Sequence, residues 1–192
     1  MARKDDFKPD KPRVGLLSKL YLTKVQRQSL LKWVLYALSL VLASVVQDVL
    51  LCKLDIFGAT TELVPCGIFL ICMLEGMESG SVFALVAACL YLFSGSAAGQ
   101  YSIVLITALG IFVTFLRQSF LQKGFGAALI GALIGMVLYE LVVFGIGLFL
   151  GQTYFGRFPA FLLRAILTVL TVPVLYPLMR AIGKIGGEPW KE

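Results

Sequence analysis

The chain has 192 residues, of which 59% are hydrophobic, and its mean hydropathy is +0.90. A water-soluble core of this size could not enclose so many apolar side chains, so the composition is typical of an integral membrane protein. The net charge of +6 lies beside apolar segments rather than in an aromatic-rich soluble fold. This placement favours anionic lipid headgroups over nucleic acid as the counter-charge.

The first 29 residues form a strongly basic arm. Nine of the seventeen Lys and Arg residues fall within residues 1–32. From Val14 to Gln28 apolar residues recur at helical spacing with basic residues between them, which indicates an interfacial helix on an anionic membrane surface. The alternative is a plain extension of the first membrane span into water. We interpret residues 1–29 as a cytoplasmic arm in either case.

Six apolar runs follow, and they predict an all-α integral membrane domain with six transmembrane helices over residues 30–182 and a short cytoplasmic tail over 183–192. The second and third runs have only twelve residues each, and runs that short can be re-entrant or tucked against other helices. The predicted spans are Leu30–Leu51, Leu63–Leu74, Val82–Phe93, Ser102–Leu116, Gly124–Leu150 and Pro159–Ile182.

Charge distinguishes two topologies for residues 63–93. If they form a hairpin of two spans, 14 basic residues lie inside and 2 outside, with Arg164 left within a span. If they form one broken helix, the count becomes 10 inside and 6 outside. The positive-inside rule therefore favours the hairpin, six spans and cytoplasmic termini.

Three charged residues within the predicted spans are the first candidates for a site, because each is costly in hydrocarbon unless it is paired or hydrated. They are Asp48, Glu140 and Arg164. The fifth and sixth spans are joined by a short loop, so Glu140 and Arg164 are predicted to pair, with Asp48 as a possible third member. Such a cluster is either a structural clasp between helices or a polar lining for a ligand or partner helix.

Small residues and prolines predict how the later helices pack. Ala127, Gly131 and Gly135 repeat every four residues, and Gly147 and Gly151 form a second pair at the same spacing. Such stripes allow helices to approach closely, and we expect the contact to be internal, although a partner contact has the same pattern. Two prolines, Pro173 and Pro177, are predicted to kink the last helix.

The side chains that usually carry catalysis or bind metals are scarce. There is no histidine, and the four cysteines show no CxxC spacing, so we interpret them as small buried apolar side chains. The acidic stretch Glu75 to Ser81 is predicted to be a solvated helix-capping turn. No nucleophile, base and orienting group can be assembled from these residues, so we expect no catalytic site, no metal site and no cofactor.

The order of these parts resembles the rod shape-determining protein MreD family. The resemblance covers roughly residues 35–185: an anchor, two short apolar runs, the loop L-x-S-G-S-x-x-G from Leu92 to Gly99, and a long glycine-striped helix. A final helix carries an L-T-x-x-x-V-P-x-L-Y-P-L run around Leu170. The order and length of the segments carry more weight than any one motif.

This resemblance implies a noncatalytic scaffold in the bacterial cytoplasmic membrane. Its expected partners are an MreC-like bitopic membrane protein, the actin-like MreB and other proteins of the peptidoglycan-synthesising elongation complex. The family fold is similar to the substrate-binding S-components of energy-coupling-factor vitamin transporters. A vitamin-binding S-component is therefore the alternative, and it requires a ligand-sized pocket with convergent polar groups between the helices.

Overall fold

The computed structural model describes residues 24–53, 59–120 and 124–185. Within those ranges the chain forms seven α-helices and two three-residue 3-10 helices, Leu51–Lys53 and Phe155–Arg157. Three predicted features lie outside the described residues: most of the basic arm with its interfacial helix, Lys123, and the tail from residue 186. The α-helices are α1 (Lys24–Val49), α2 (Leu63–Glu75), α3 (Met77–Phe93), α4 (Ser102–Phe120), α5 (Phe125–Phe149), α6 (Phe158–Val169) and α7 (Val172–Gly183).

The short helix α2 is the centre of the bundle. Each of its residues from Leu63 to Leu74 is buried. A helix that is apolar on all sides must be enclosed by other helices, and α2 contacts all six of the others. The remaining helices surround it in the order α1, α3, α4, α5, and then α6 and α7, which leads back to α1.

Three helices are long and apolar enough to cross a membrane: Gln26–Val49 within α1, Ser102–Ser119 within α4, and α5. The predicted sixth span is two helices, α6 and α7, which bend by 47° at a short break and together have the length and composition of a fourth crossing. Helices α2 and α3 are apolar but have only 13 and 17 residues. The described part of the chain therefore has three or four helices of this kind, as in a multi-pass membrane protein.

Residues 63–93 form a hairpin. Near the reversal, the Cys72 thiol in α2 donates to the Gly80 carbonyl in α3 at 3.4 Å. Tyr91, near the end of α3, interacts with Glu62, just before α2, so the two helices pack antiparallel. The reversal occurs at Gly76, whose φ of +91° favours glycine. The predicted acidic turn is shorter than expected, because Met77 to Ser81 already belong to α3.

The bend between α6 and α7 lies directly before Pro173. Proline lacks the N–H that would continue the helix, but its fixed φ suits the first turn of a new one. Pro173 accordingly lies at the start of α7. Pro177, the other predicted kink position, lies inside α7 without ending it.

The glycine stripe of α5 faces the interior of the bundle. A Cβ atom at Gly135 would lie 2.9 Å from Phe69 Cδ2 in α2 and 3.0 Å from Val113 Cγ2 in α4. A Cβ at Gly131 would collide with the Met73 side chain of α2. Ala127, one turn earlier, is half-buried. The missing side chains thus give α2 and α4 their close approach to α5.

Gly147 and Gly151 were predicted to be a second helix-packing pair, but they shape the turn after α5. Gly151 lies beyond the end of the helix with a φ of +69°. The Gly147 carbonyl accepts hydrogen bonds from the backbone N–H groups of Gln152 and Thr153, at 2.8 and 3.2 Å. A Cβ at Gly147 would lie 3.1 Å from Thr153 Cγ2. These glycines therefore make room for the returning loop rather than for another helix.

Candidate functional site

Arg164 lies between two buried carboxylates. Its Nη1 atom donates to Glu62 Oε1 at 3.0 Å, and its Nε atom lies 3.9 Å from Glu140 Oε1. The side chains of Glu140, Glu62 and Arg164 are 2%, 10% and 23% exposed. We call these three residues the charged triad. It joins the start of α2, the second half of α5 and the first turns of α6 in one polar site.

Glu62 is held in place by the backbone and side chains around it. Its N–H donates to Thr168 Oγ1 at 3.0 Å, and the Thr168 hydroxyl in turn donates to the Arg164 carbonyl at 2.8 Å. Two residues further, the Val64 N–H donates to Gln47 Oε1 of α1 at 3.3 Å. These backbone N–H groups at the start of α2, which have no acceptor within the helix, thus find side-chain acceptors on α1 and α6, as a buried helix start requires.

Hydroxyl groups surround the triad. Tyr91 of α3 and Tyr139 of α5 are 2% and 0% exposed, and both interact electrostatically with Glu62 and Glu140. Ser102, at the first residue of α4, is fully buried next to Tyr139. The site therefore combines side chains from most of the helices around α2.

Many polar atoms of this site have no hydrogen-bond partner of good geometry. Buried polar groups in native proteins are nearly always hydrogen-bonded, so a concentration of unpaired atoms marks a special site. Seven of the eight buried, unpaired side-chain atoms in the described part of the chain belong to the triad or its neighbours: Thr61 Oγ1, Glu62 Oε2, Ser102 Oγ, Tyr139 OH, both Glu140 carboxylate oxygens and Arg164 Nε.

Asp48 is not the third member of this cluster; Glu62 takes that position. The Asp48 carboxylate accepts a hydrogen bond from the Ser96 hydroxyl at 2.8 Å, at the point where α1 and the loop after α3 meet. Asp48 itself is exposed. The loop from Leu92 to Gly99 thus binds the end of α1, and Tyr91 donates to the Ser96 carbonyl at 3.1 Å to support it.

A second charged cluster lies at the opposite end of the bundle. Lys32 of α1 pairs with Glu75 of α2 at 2.5 Å, and the Tyr36 hydroxyl donates to the other Glu75 oxygen at 2.8 Å. The Glu75 side chain is only 2% exposed. The predicted solvated turn is therefore wrong for Glu75, which ties α1 to α2, whereas Glu78 is exposed as expected. On α4, Arg117 donates to the Met73 carbonyl in the same region.

A groove runs along the outside of the bundle between α1 and α3. Both helices pack on α2 but hardly on each other, which leaves a cavity of about 300 Å³. Its rim is formed by exposed apolar side chains such as Val41, Val45 and Leu90. The rest of its lining combines small or polar side chains with larger buried ones: Ala37, Ser44, Asp48, Ala87 and Ser94, and Leu40, Val64 and Tyr91.

The described residues contain no group of three Cys, Asp or Glu side chains suited to a metal ion. Cys66 and Cys72 are buried free thiols, and Cys89 is a partly buried one. The triad itself shows ionic pairing and hydrogen bonding.

Sequence reasoning missed Glu62 because it precedes an apolar run and resembles a loop residue. One signal was present: a helix of 13 residues is about 20 Å long and the hydrocarbon core is about 30 Å thick, so the start of α2 need not reach water. Glu75 was likewise predicted to lie in a solvated turn, and Lys32 was counted only among the basic residues near the N-terminus. Only the packing around α2 buries them.

Comparison of the chain with protein-family models, curated proteins and solved structures finds no match. The class is therefore defined by the fold: an all-helical protein with several helices able to span a membrane, built around a short buried central helix and containing a buried charged triad.

Proposed function

We propose that the chain is a noncatalytic scaffold of the bacterial cell-elongation machinery, similar to the MreD family. In this proposal all six apolar segments cross or enter the cytoplasmic membrane, both termini are cytoplasmic, and the fold is related to that of transporter S-components. The scaffold acts through helix contacts with an MreC-like bitopic partner. Anionic lipids and cytoplasmic elongation proteins contact the basic arm.

The groove between α1 and α3 is the observation that carries this proposal. Its walls are two apolar helices whose outward faces are exposed, and its small side chains, Ala37, Ser44 and Ala87, leave space for the side chains of another helix. Small residues permit close helix contacts in a bilayer, where the hydrophobic effect does not drive association. A cavity of about 300 Å³ accommodates a few large side chains of a partner helix, rather than a whole helix.

The two ends of the bundle are consistent with the proposed orientation. The end containing Lys32, Glu75 and Arg117 is rich in basic residues, and it is the end that the positive-inside rule places in the cytoplasm. The other end carries Asp48, Ser96 and Arg157. A reporter fused after Glu192 tests this orientation, since an extracytoplasmic C-terminus would overturn it.

A depletion experiment in the native host tests the function, and a groove variant tests its mechanism. Depletion of the protein is expected to make the cells round, and expression of the wild-type protein is expected to restore rod shape. Ser44→Trp fills the groove and is expected to accumulate in the membrane without restoring rod shape. The matched control is Val104→Trp on α4, a position that is 72% exposed and away from the groove. Rod shape restored equally by both variants would contradict docking in the groove.

A vitamin-binding S-component is the second candidate. The charged triad offers the polar groups that it requires, although the cavity beside Glu140 is only about 10 Å³ and would have to widen to hold a vitamin. The unpaired buried polar atoms of the triad resemble the convergent polar groups that orient a small ligand. Depleted cells that keep their shape but require a vitamin would support this candidate and overturn the scaffold.

A further inference from the structure

The charged triad contains one more negative charge than positive charge. Glu62 and Glu140 both face Arg164, and the two carboxylates also repel each other. Leaving a charge unbalanced in a buried site is costly, because removing an ion from water costs several kcal/mol that only a close opposite charge recovers. A single guanidinium cannot neutralise both carboxylates.

The groups around the triad do not remove this excess. Among the described residues, the titratable or charged side chains that act on it are Tyr91 from α3, Tyr101 just before α4, Tyr139 from α5 and Arg164 from α6. The tyrosines are neutral when protonated. From α1 the nearby side chain is the neutral Gln47, which binds the Val64 N–H. On α7, Arg180 is exposed near the opposite end of the bundle.

The two carboxylates are not equivalent. Glu62 accepts a charge-assisted hydrogen bond from Arg164 at 3.0 Å. Glu140 lies 3.9 Å from Arg164 Nε, both of its oxygens are unpaired, and its side chain is 2% exposed. The Tyr139 hydroxyl, which interacts electrostatically with Glu140, and the Ser102 hydroxyl beside it are fully buried and also lack a hydrogen bond of good geometry. Glu62 keeps one unpaired oxygen, Oε2, whereas Glu140 has two, so Glu140 has the greater free coordination capacity.

We propose that Glu140 binds one positive charge taken up from solution, a proton or a small alkali cation, and that this makes the triad electrically neutral. A proton forms a bond to one carboxylate oxygen and converts Glu140 to a neutral acid that can also donate a hydrogen bond. An alkali cation would instead be coordinated by the carboxylate and the neighbouring hydroxyl oxygens. The inference is independent of the proposed scaffold function, since it concerns the ionisation of the folded chain alone.

Thermal unfolding of the full chain in detergent tests the proposal and separates the two sources. If a proton binds, wild type loses stability as the pH rises from 6 to 8, because Glu140 is protonated when folded but ionised when unfolded. One proton changes the unfolding constant by at most about tenfold per pH unit, or roughly 3–5 °C in Tm for a chain of this size. If an alkali cation binds, Na⁺ at pH 8.5 raises Tm more than choline at equal ionic strength.

Glu140→Gln is the decisive variant, because it mimics the neutral side chain. It is expected to lose whichever response wild type shows, whereas the exposed control Glu78→Gln retains it. Identical responses of wild type and Glu140→Gln to both pH and Na⁺ would overturn the proposal.

Infrared spectroscopy provides a readout that does not depend on that variant folding. A carbonyl band of a protonated carboxyl at pH 7, present in wild type and in Glu78→Gln, supports proton binding. Absence of this band, combined with a Tm in wild type that does not respond to Na⁺, would contradict both forms of the proposal.

Discussion

Replacing Gly135 in the middle of α5 with alanine is expected to destabilise the bundle, whereas the same change at Gly145 is not. A Cβ at position 135 would lie 2.9 Å from Phe69 and 3.0 Å from Val113, both of which are fully buried and cannot move into open space. At position 145, in the same helix, a Cβ would meet nothing within 4 Å.

The comparison of the two variants isolates the packing cost. Both changes replace glycine by alanine inside α5, so the gain in helix propensity of about 1 kcal/mol is common to them and cancels in the difference. Overpacking a tight core costs about 1–3 kcal/mol. We therefore expect Gly135→Ala to be less stable than Gly145→Ala by that amount, or by about 2–12 °C in Tm.

The assay is thermal unfolding of the detergent-solubilised full chain. The readout is the fraction of protein that remains monodisperse on size exclusion after heating. A Gly135→Ala variant as stable as Gly145→Ala would refute the reasoning, because it would mean that α2 and α4 do not press against this face of α5. A lower stability of Gly145→Ala would place the close helix contact on the opposite face.

Two further predictions concern the buried charges and use the same unfolding assay. Arg164→Gln removes the guanidinium that binds Glu62 and faces Glu140, and it is expected to cost about 3–5 kcal/mol. The triple variant with Glu62→Gln and Glu140→Gln should recover most of that loss. A triple variant as unstable as the single one would show that the triad is not a unit. Glu75→Gln is expected to cost about 1.5–3 kcal/mol, because it weakens the bonds to Lys32 and Tyr36. Glu78→Gln, at an exposed position, is expected to cost less than about 0.5 kcal/mol. Equal losses of stability would contradict the burial of Glu75.

The membrane character, most of the helix positions and the reversal within residues 63–93 could be predicted from the sequence, although the predicted sixth span divides into α6 and α7. These features depend on local hydrophobicity and on the distribution of Lys and Arg, and both are read directly along the chain. The inward-facing stripe at Gly131 and Gly135 could also be predicted, because small residues repeated every four positions allow another helix to pack closely against that face.

The composition of the buried sites was decided by the tertiary structure. Glu140 and Arg164 were expected to meet, but Glu62 joins them because α2 is short and enclosed, which brings its first turn inside the bundle. Asp48 is left at the surface beside Ser96. Likewise, Lys32 and Glu75 are 43 residues apart and become a buried pair only when α1 packs on α2. Hydropathy along the sequence shows which segments are buried away from water. The partner of each charged side chain depends instead on which helix ends lie next to each other in the bundle, and only the packing of the helices determines that.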